Sequence, residues 1–343
     1  MGETVSADHL LDTRGVSARF EAVVVAAAFD RAGQGAAFAL GDGSVQLAEA
    51  GEWRSAAAHE GACMALAPDS GSRGFVSGGD DGKLCRIGAD GTVTELAGFG
   101  MKWVEHVATH DAGKGLVACA VGRNVHVFDG AGAKKKELAH LSSVSGIVFD
   151  AKGKRIAASH YNGASLWFVA AKEDSPRRLE WKGSHIGIAI NPAGDHVVTA
   201  MQENALHGWR LTDGQHMRMS GYPGKTRFLS FTRNGKWLAT SGAESVVLWP
   251  FFGGGPMGKA PTELAGGDSV TCSAVACHPQ HEAVAAGFED GLVALIDINS
   301  QRVLPVAEPG RGKVTALCWS PSGSHLAFGT ESGFCAVVDF AKR

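Results

Sequence analysis

Short apolar runs, separated by clusters of Gly, Pro, Asp and Asn, recur along the whole chain. Within these runs apolar and polar residues often alternate with a period of two, as in residues 124–128 (NVHVF). This alternation is typical of β-strands, and no long segment carries the 3.6-residue apolar stripe of an amphipathic helix. The pattern therefore predicts an all-β chain of short strands and tight turns.

The pattern also repeats with a period of about 41 residues, which lies within the roughly 40–45 residues expected of a four-stranded propeller blade. Each unit contains an apolar strand, a turn such as residues 191–194 (NPAG), a strand of small apolar residues, an acidic or glycine-rich turn and a third strand. The residues that close the first strand of units one to eight are Phe29, Pro68, Thr109, Phe149, Ile190, Phe231, Cys277 and Trp319. One such sheet cannot cover both of its apolar faces, so the units are expected to stack in a closed ring.

Unit two carries the most complete motif. His59 precedes its first strand, residues 67–68 (AP) close that strand, and residues 75–82 (FVSGGDDG) form the second strand and a tight turn. In this order the residues resemble the WD-repeat β-propeller family. The Trp-Asp dipeptide is nowhere intact, but halves of it end several third strands, at residues 128–129, 167–168, 209–210, 249–250, 296–297 and 338–339. The resemblance covers nearly the whole chain.

The resemblance implies a single β-propeller domain over residues 1–343, built of four-stranded antiparallel blades. We expect eight blades, with seven as the alternative if unit one or unit three is irregular. The third strand of unit eight ends near residues 338–340, which leaves too few residues for a fourth strand. The N-terminal segment from His9 to Phe20 is therefore expected to complete the last blade.

Within each blade, the resemblance implies a structural hydrogen-bond network. A histidine before the first strand, an aspartate in the turn between the second and third strands, and a tryptophan on the third strand form it. Unit two keeps His59 and Asp81, and unit four has His140 with Asn162 at the turn. Two aromatic residues stand in the histidine position of units five and six, where we expect them to fill the same packing space: Trp181 and Tyr222.

Composition narrows the function. The 35 acidic and 32 basic side chains give a net charge of -3, so no global field favours nucleic acid or an anionic membrane. The seven cysteines contain no C-x-x-C pair and lie mostly in apolar runs, as in a reducing compartment. No apolar run reaches the roughly 18 residues of a membrane helix. We therefore expect a cytoplasmic, monomeric protein with neither nucleic acid nor membrane as a partner.

The sequence contains no nucleophile motif, phosphate-binding glycine loop, metalloprotease motif or dinucleotide fingerprint. We therefore expect no catalysis and no cofactor. The alternative is a metal-binding or enzymatic propeller that uses residues 277–282 (CHPQHE), where His278, His281 and Glu282 could meet an ion such as zinc. Because Cys277 closes an apolar strand, its side chain is expected to face the core, which leaves fewer than four clear ligands.

The preferred interpretation is a protein-interaction scaffold. In the resembled family, the loops entering the first strands and the turns between second and third strands gather on the narrower face, where a rigid ring holds them for docking. This face is expected to combine an aromatic anchor, a cationic arc over units six and eight, and interleaved acidic residues. The candidate partner-binding residues are Lys102, Trp103, Tyr161, Gln202, Lys225, Arg227, Glu289, Lys313 and Glu331. Residues 250–259 in unit six, with two phenylalanines, either fold back under their blade or offer a second docking site.

Overall fold

Thirty antiparallel β-strands and one short helix, α1 (Leu10–Arg14), make up the regular structure of residues 9–264 and 269–341, the parts of the chain that the computed structural model describes. The predicted all-β class is confirmed. Within these ranges no helix is long and apolar enough to cross a membrane.

Five units fold into separate four-stranded sheets with the strands in sequence order. Unit one contains β2 (Val24–Phe29), β3 (Gly35–Leu40), β4 (Ser44–Glu49) and β5 (Glu52–Ala57). Unit two contains β6 (Cys63–Pro68), β7 (Phe75–Gly79), β8 (Lys83–Ile87) and β9 (Val93–Gly98). Unit three contains β10 (His106–His110), β11 (Leu116–Val121), β12 (Asn124–Asp129) and β13 (Lys134–Ala139). Unit six contains β20 (Leu229–Phe231), β21 (Trp237–Thr240), β22 (Val246–Pro250) and β23 (Thr262–Leu264). Unit seven contains β24 (Cys272–Cys277), β25 (Ala283–Phe288), β26 (Val293–Asp297) and β27 (Val303–Ala307).

Units four and five share one six-stranded sheet, which corrects the expected number of blades. Its strands are β14 (Val144–Phe149), β15 (Arg155–Phe168), β16 (Arg177–Ile190), β17 (His196–Met201), β18 (Leu206–Arg210) and β19 (His216–Met219). The first half of β15 pairs with β14 and its second half with the first half of β16, whose second half pairs with β17. The described residues thus form seven sheets, and the prediction of eight separate blades is wrong on this count.

The two long strands stay continuous because the backbone bends at positions that tolerate positive φ. Asn162 has a φ of 67°, Gly163 of 134° and Gly183 of 116°. Glycine adopts such values without steric penalty, and asparagine more readily than most residues. The pairing register shifts between Tyr161 and Gly163, so the strand turns a corner without ending. The cause of the seven-sheet count is therefore this corner, and not the irregular unit one or unit three that the sequence suggested.

The ring closes as expected. Unit eight contains β28 (Val314–Trp319), β29 (His325–Thr330) and β30 (Phe334–Asp339), and its fourth strand is β1 (Gly15–Arg19). β1 pairs antiparallel with β30, with Gly15 opposite Val338. The first strands of successive units contact one another in the order β2, β6, β10, β14, β16, β20, β24, β28 and again β2. The predicted completion of the last blade by the N-terminal segment is confirmed.

Apolar side chains fill the spaces between neighbouring units, and a glycine-valine contact recurs there. A glycine near the end of a second strand leaves room for the valine that opens the next unit, and a Cβ at that glycine would overlap the valine side chain. The contact occurs at three seams: Gly78 with Val104, Gly287 with Val314 and Gly329 with Val24. The last of these is the closing seam, so the ring is sealed by the same packing that joins internal units.

Candidate functional site

The antiparallel strand order places the loop entering each first strand at the same end of the sheet as the turn between the second and third strands. We call this end of the molecule the rim face. Backbone hydrogen bonds tie the two elements together within a unit: Gln202 N donates to Ser184 O at 2.9 Å, and Glu289 N to Thr271 O at 3.0 Å. The two sets of positions chosen from the sequence therefore lie side by side in these units.

Trp103 and Tyr161 present large aromatic surfaces on the rim face. Their side chains are 54% and 58% exposed. Their backbones are nevertheless fixed, because the neighbouring Val104 N donates to Gly79 O at 3.0 Å and Tyr161 N donates to Ser142 Oγ at 3.1 Å. Rigid, exposed aromatic residues are the side chains most often found as anchors of protein interfaces.

The charged rim residues divide into paired and unpaired groups. Lys313 Nζ forms an ion pair with Glu289, and its backbone N–H donates to the Glu331 carboxylate. The predicted cationic arc is therefore neutralised at unit eight. The side chains of Lys102, Lys225 and Arg227 are exposed and form no hydrogen bond or ion pair within the described part of the chain, and Gln202 is also exposed. Free cationic charge thus remains on units three and six.

In unit two the structure brings the histidine and the aspartate together. His59 Nδ1 lies 3.0 Å from Asp81 Oδ1, and His59 Nε2 lies 2.8 Å from Ser77 Oγ. Burial alone would raise the pKa of Asp81, but backbone N–H groups of Lys83 and Glu60, together with His59, outweigh it and hold that pKa below its usual value. The pair is enclosed and fully hydrogen-bonded, as a structural element would be.

In unit four the expected contact between His140 and Asn162 does not form. His140 Nε2 accepts a hydrogen bond from Trp167 Nε1 at 3.1 Å, while Asn162 Oδ1 accepts one from Gly183 N at 3.2 Å. The positive φ of Asn162 turns its side chain into the corner of the long strand, away from the histidine. Burial lowers the pKa of His140 to about 4, so the imidazole is neutral at physiological pH.

The two aromatic residues in the histidine position are packed, as expected. Tyr222 is buried, its hydroxyl lies 2.6 Å from Thr240 Oγ1, and it accepts a hydrogen bond from Trp249 Nε1 at 2.6 Å. Trp181 stacks on His207 with ring centroids 4.0 Å apart. The Tyr222 hydroxyl in unit six therefore accepts the same kind of hydrogen bond from a tryptophan that the His140 imidazole accepts in unit four.

The histidine cluster of unit seven does not have the geometry of a metal site. His278 Nε2 lies 3.1 Å from Gly323 O, and its Nδ1 accepts hydrogen bonds from two backbone N–H groups, those of residues 280 and 281. Glu282 accepts from Asn234 at 2.8 Å, and the buried thiol of Cys277 points at Ser230 O. No group of three or more His, Cys, Asp or Glu side chains suited to a metal occurs in the described ranges.

The phenylalanine-rich loop of unit six largely folds back. Phe251 is buried and packs edge-on against Phe231 with centroids 5.0 Å apart. Phe252 is half-exposed, but its ring packs edge-on against Trp237 with the ring centroids 5.2 Å apart. Lys259 Nζ lies 4.9 Å from the Phe252 ring centroid. The loop therefore buries Phe251 but leaves Phe252 44% and Met257 48% exposed, and because Trp237 and Lys259 contact the Phe252 ring it is the weaker candidate for docking.

A groove of about 470 Å³ opens beside Tyr161, and sequence reasoning missed it. Leu141, Trp181, Arg178 and Lys182 line it together with Tyr161. These residues come together only because β15 and β16 bend at the corner, so no local sequence motif predicted the groove. The available signal was weak: an exposed aromatic residue followed by Asn-Gly at a turn.

Comparisons with known proteins agree with this architecture. Residues 275–343 match the family described as the anaphase-promoting complex subunit 4 WD40 domain. Autophagy-related protein 16 of Arabidopsis thaliana is 21% identical over 81% of this chain and 55% of its own length. Protein HIR1 of Candida albicans is 24% identical over 83% of this chain and 32% of its own length. The chain thus spans about half or less of the length of these curated relatives.

Among solved structures, the computationally designed protein Ika8 superimposes with a TM-score of 0.73, covering 94% of this chain and 97% of its own at 18% identity. This likeness concerns the fold alone. Together with the repeat, the closed ring and the sequence relatives, it defines the class of protein. The chain is a closed β-propeller that is similar to WD-repeat proteins, through the family match over residues 275–343 and through the two relatives over 81% and 83% of its length.

Proposed function

We propose that this protein is a non-catalytic interaction scaffold that docks a peptide or a partner domain on the rim face. The observation that carries the proposal is the exposure of Trp103 and Tyr161 on loops whose backbones are fixed by the ring. Such side chains lose little conformational entropy on binding, so more of their contact energy becomes affinity. Lys225 and Arg227, exposed and unpaired among the described residues, add charge for orientation.

The relatives support the same interpretation. One match is to a domain of an anaphase-promoting complex subunit and another to an autophagy-related protein. WD-repeat propellers generally serve as non-enzymatic scaffolds, and the shared fold alone does not identify a partner. The hydrogen bonds that occupy both nitrogens of His278 argue against the alternative of a metal-dependent enzyme in unit seven.

The test is affinity capture from the native cell, followed by mass spectrometry, with the Trp103→Ala/Lys225→Ala double variant as a matched bait. Both side chains are exposed, so the thermal unfolding temperature should stay within about 2 °C of the wild type. The proposal expects the variant to lose the specific partners that the wild type retains. Unchanged capture by the folded variant would place docking on another surface.

Four further properties belong to this proposal. Residues 1–343 act as one domain, and the protein is monomeric. Its partners are proteins rather than nucleic acids or membranes, because the net charge of -3 and the mixed charges of the rim offer no continuous basic surface. The protein acts in the cytoplasm, which its seven unpaired cysteines favour.

A further inference from the structure

The groove beside Tyr161 combines exposed apolar walls with cations in one concave place. Leu141 is 79% exposed and Tyr161 58% exposed, and both face a cavity of about 470 Å³. Large apolar side chains left in water at one concave place mark binding sites more often than scattered ones do. Trp181, half-buried on His207, forms the third apolar wall.

Within the described residues, the two histidines that line the groove have both ring nitrogens in hydrogen-bond contacts with the protein itself. His160 Nε2 lies 2.8 Å from Ser165 Oγ, and its Nδ1 lies 2.9 Å from Tyr161 O. Both nitrogens of His140 are likewise in contact with Trp167 Nε1 and Arg123 O. Recognition in this groove must therefore come from its apolar walls and from the charges at its edge.

The charges at the edge have an excess of cations. Arg178 and Lys182 line the groove, and neither forms an ion pair or side-chain hydrogen bond within residues 9–264 and 269–341. Glu180 is the single carboxylate in the lining. Arg123, exposed beside His140, adds a cation, and Glu203, beside Gly183, adds a carboxylate outside the lining. The groove is thus weakly cationic on a chain that is acidic overall.

We propose that this groove binds an extended segment of a partner protein in which a leucine or aromatic side chain is flanked by carboxylates. The apolar side chain would fill the space between Tyr161, Leu141 and Trp181, and its acidic neighbours would pair with Arg178 and Lys182. Nucleic acid is disfavoured because two lining cations cannot follow a phosphate backbone. The inference rests on the proposed function and deepens it by naming the chemistry of the partner.

The test uses fluorescence anisotropy with the full chain and a labelled ten-residue peptide that carries a central Leu-Phe pair flanked by aspartates. A matched peptide carries lysines in place of the aspartates. The acidic peptide should bind saturably and at least about 10-fold more tightly than the basic one, with weaker binding at high salt. Tyr161→Ala and the double variant Arg178→Glu/Lys182→Glu should each weaken acidic-peptide binding by about 10-fold or more.

The matched control is Lys236→Glu, which reverses an exposed charge in the turn between β20 and β21 of unit six, at the end of the sheet opposite the rim face, and should leave the affinity unchanged. The charge-reversed groove should in turn prefer the basic peptide, a result that an unfolded variant would not give. Absence of saturable binding, equal affinity for both peptides, or equal loss in the Lys236→Glu control would overturn the inference. So would tighter binding of a single-stranded RNA probe, or concentration-dependent dimerisation that Tyr161→Ala abolishes.

The two proposals can fail separately. If affinity capture depends on Trp103 and Lys225 while the acidic peptide does not bind, the rim scaffold stands and the groove inference falls. If the peptide binds as described but capture is unaffected by the Trp103→Ala/Lys225→Ala variant, the groove stands and the wider rim assignment falls.

Discussion

Acidification should destabilise this fold steeply, because three histidines must stay neutral in the folded state. Burial lowers the pKa of His106 and His140 to about 4, and burial together with nearby His216 lowers that of His207 to about 3. In the unfolded chain each titrates near its ordinary value of about 6.5. Below that pH the unfolded state binds more protons than the folded state, so the free energy of unfolding falls as the pH falls.

The magnitude follows from the pKa difference. At about pH 5 each of these histidines is protonated in the unfolded chain and still neutral in the fold, which lowers the free energy of unfolding by about 2 kcal/mol per residue. Three such groups together remove about 6 kcal/mol, a large share of the roughly 5–15 kcal/mol that stabilises a typical domain. The loss should continue until the pH reaches the pKa values of the folded state.

Urea unfolding followed by tryptophan fluorescence at about pH 7.5, 6 and 5 measures this loss directly. His140→Gln provides the decisive variant, because an amide can still accept from Trp167 and donate to the Arg123 carbonyl but does not titrate. Its stability should fall by about 2 kcal/mol less than that of the wild type over this pH range. The exposed His281→Gln substitution serves as control. An identical pH dependence for His140→Gln and the wild type would refute the reasoning.

Three further outcomes are expected. Leu11→Ala should lower the free energy of unfolding by about 2–3 kcal/mol in urea titrations, because this buried side chain fastens the N-terminal segment to the core of units seven and eight. Gly329→Ala should cost about 1–3 kcal/mol, because its methyl group would overlap Val24 at the closing seam. The five buried thiols should react with a disulfide reagent only on unfolding, since burial raises their pKa to about 11 to 12; they belong to Cys63, Cys85, Cys119, Cys272 and Cys335.

Each outcome has its own control. The exposed Thr13→Ala substitution should leave stability within about 0.5 kcal/mol of the wild type, and an equal effect of Leu11→Ala would contradict the fastening role. Gly187→Ala places its methyl at ordinary contact distance from Ala200, so it should be tolerated better than Gly329→Ala. A thiol that reacts rapidly in the native protein would show that its burial is incomplete.

The repeat and the closure of the ring could be predicted because both depend on sequence patterns that extend over only a few residues. All eight residues chosen to close first strands lie at the last or next-to-last position of a strand, as Phe29 and Trp319 do in β2 and β28. The completion of unit eight by the N-terminal segment followed from the short remainder after residue 340. Period, turn chemistry and strand alternation all act over a few residues, which is the range that sequence patterns report.

The merged sheet and the groove depend on pairing that local pattern does not reveal. Asn162 and Gly163 look like an ordinary turn between two strands, and only the ladder between residues 163–166 and 177–180 shows that the strand continues around a corner. Ion pairs between units are likewise not visible in the local sequence pattern. Lys313 looked like a free rim cation until Glu289, on the neighbouring unit, proved to be its partner. Contacts between units are set by stacking, so their polar pairs cannot be read from one unit.

The pairing of β1 with β30 has a consequence for chain connectivity. Gly15 lies opposite Val338, although the two residues are more than 300 positions apart in the sequence. Because loop-closure entropy grows with loop length, forming this strand pair costs more entropy than forming any other pair in the same sheet. A circular permutant that joins the end of β30 to the start of α1 through a short linker, and opens the chain at residues 20–23, would make that contact local and keep Leu11 in place. Such a chain should keep the native architecture and fold faster, because its average contact order is lower.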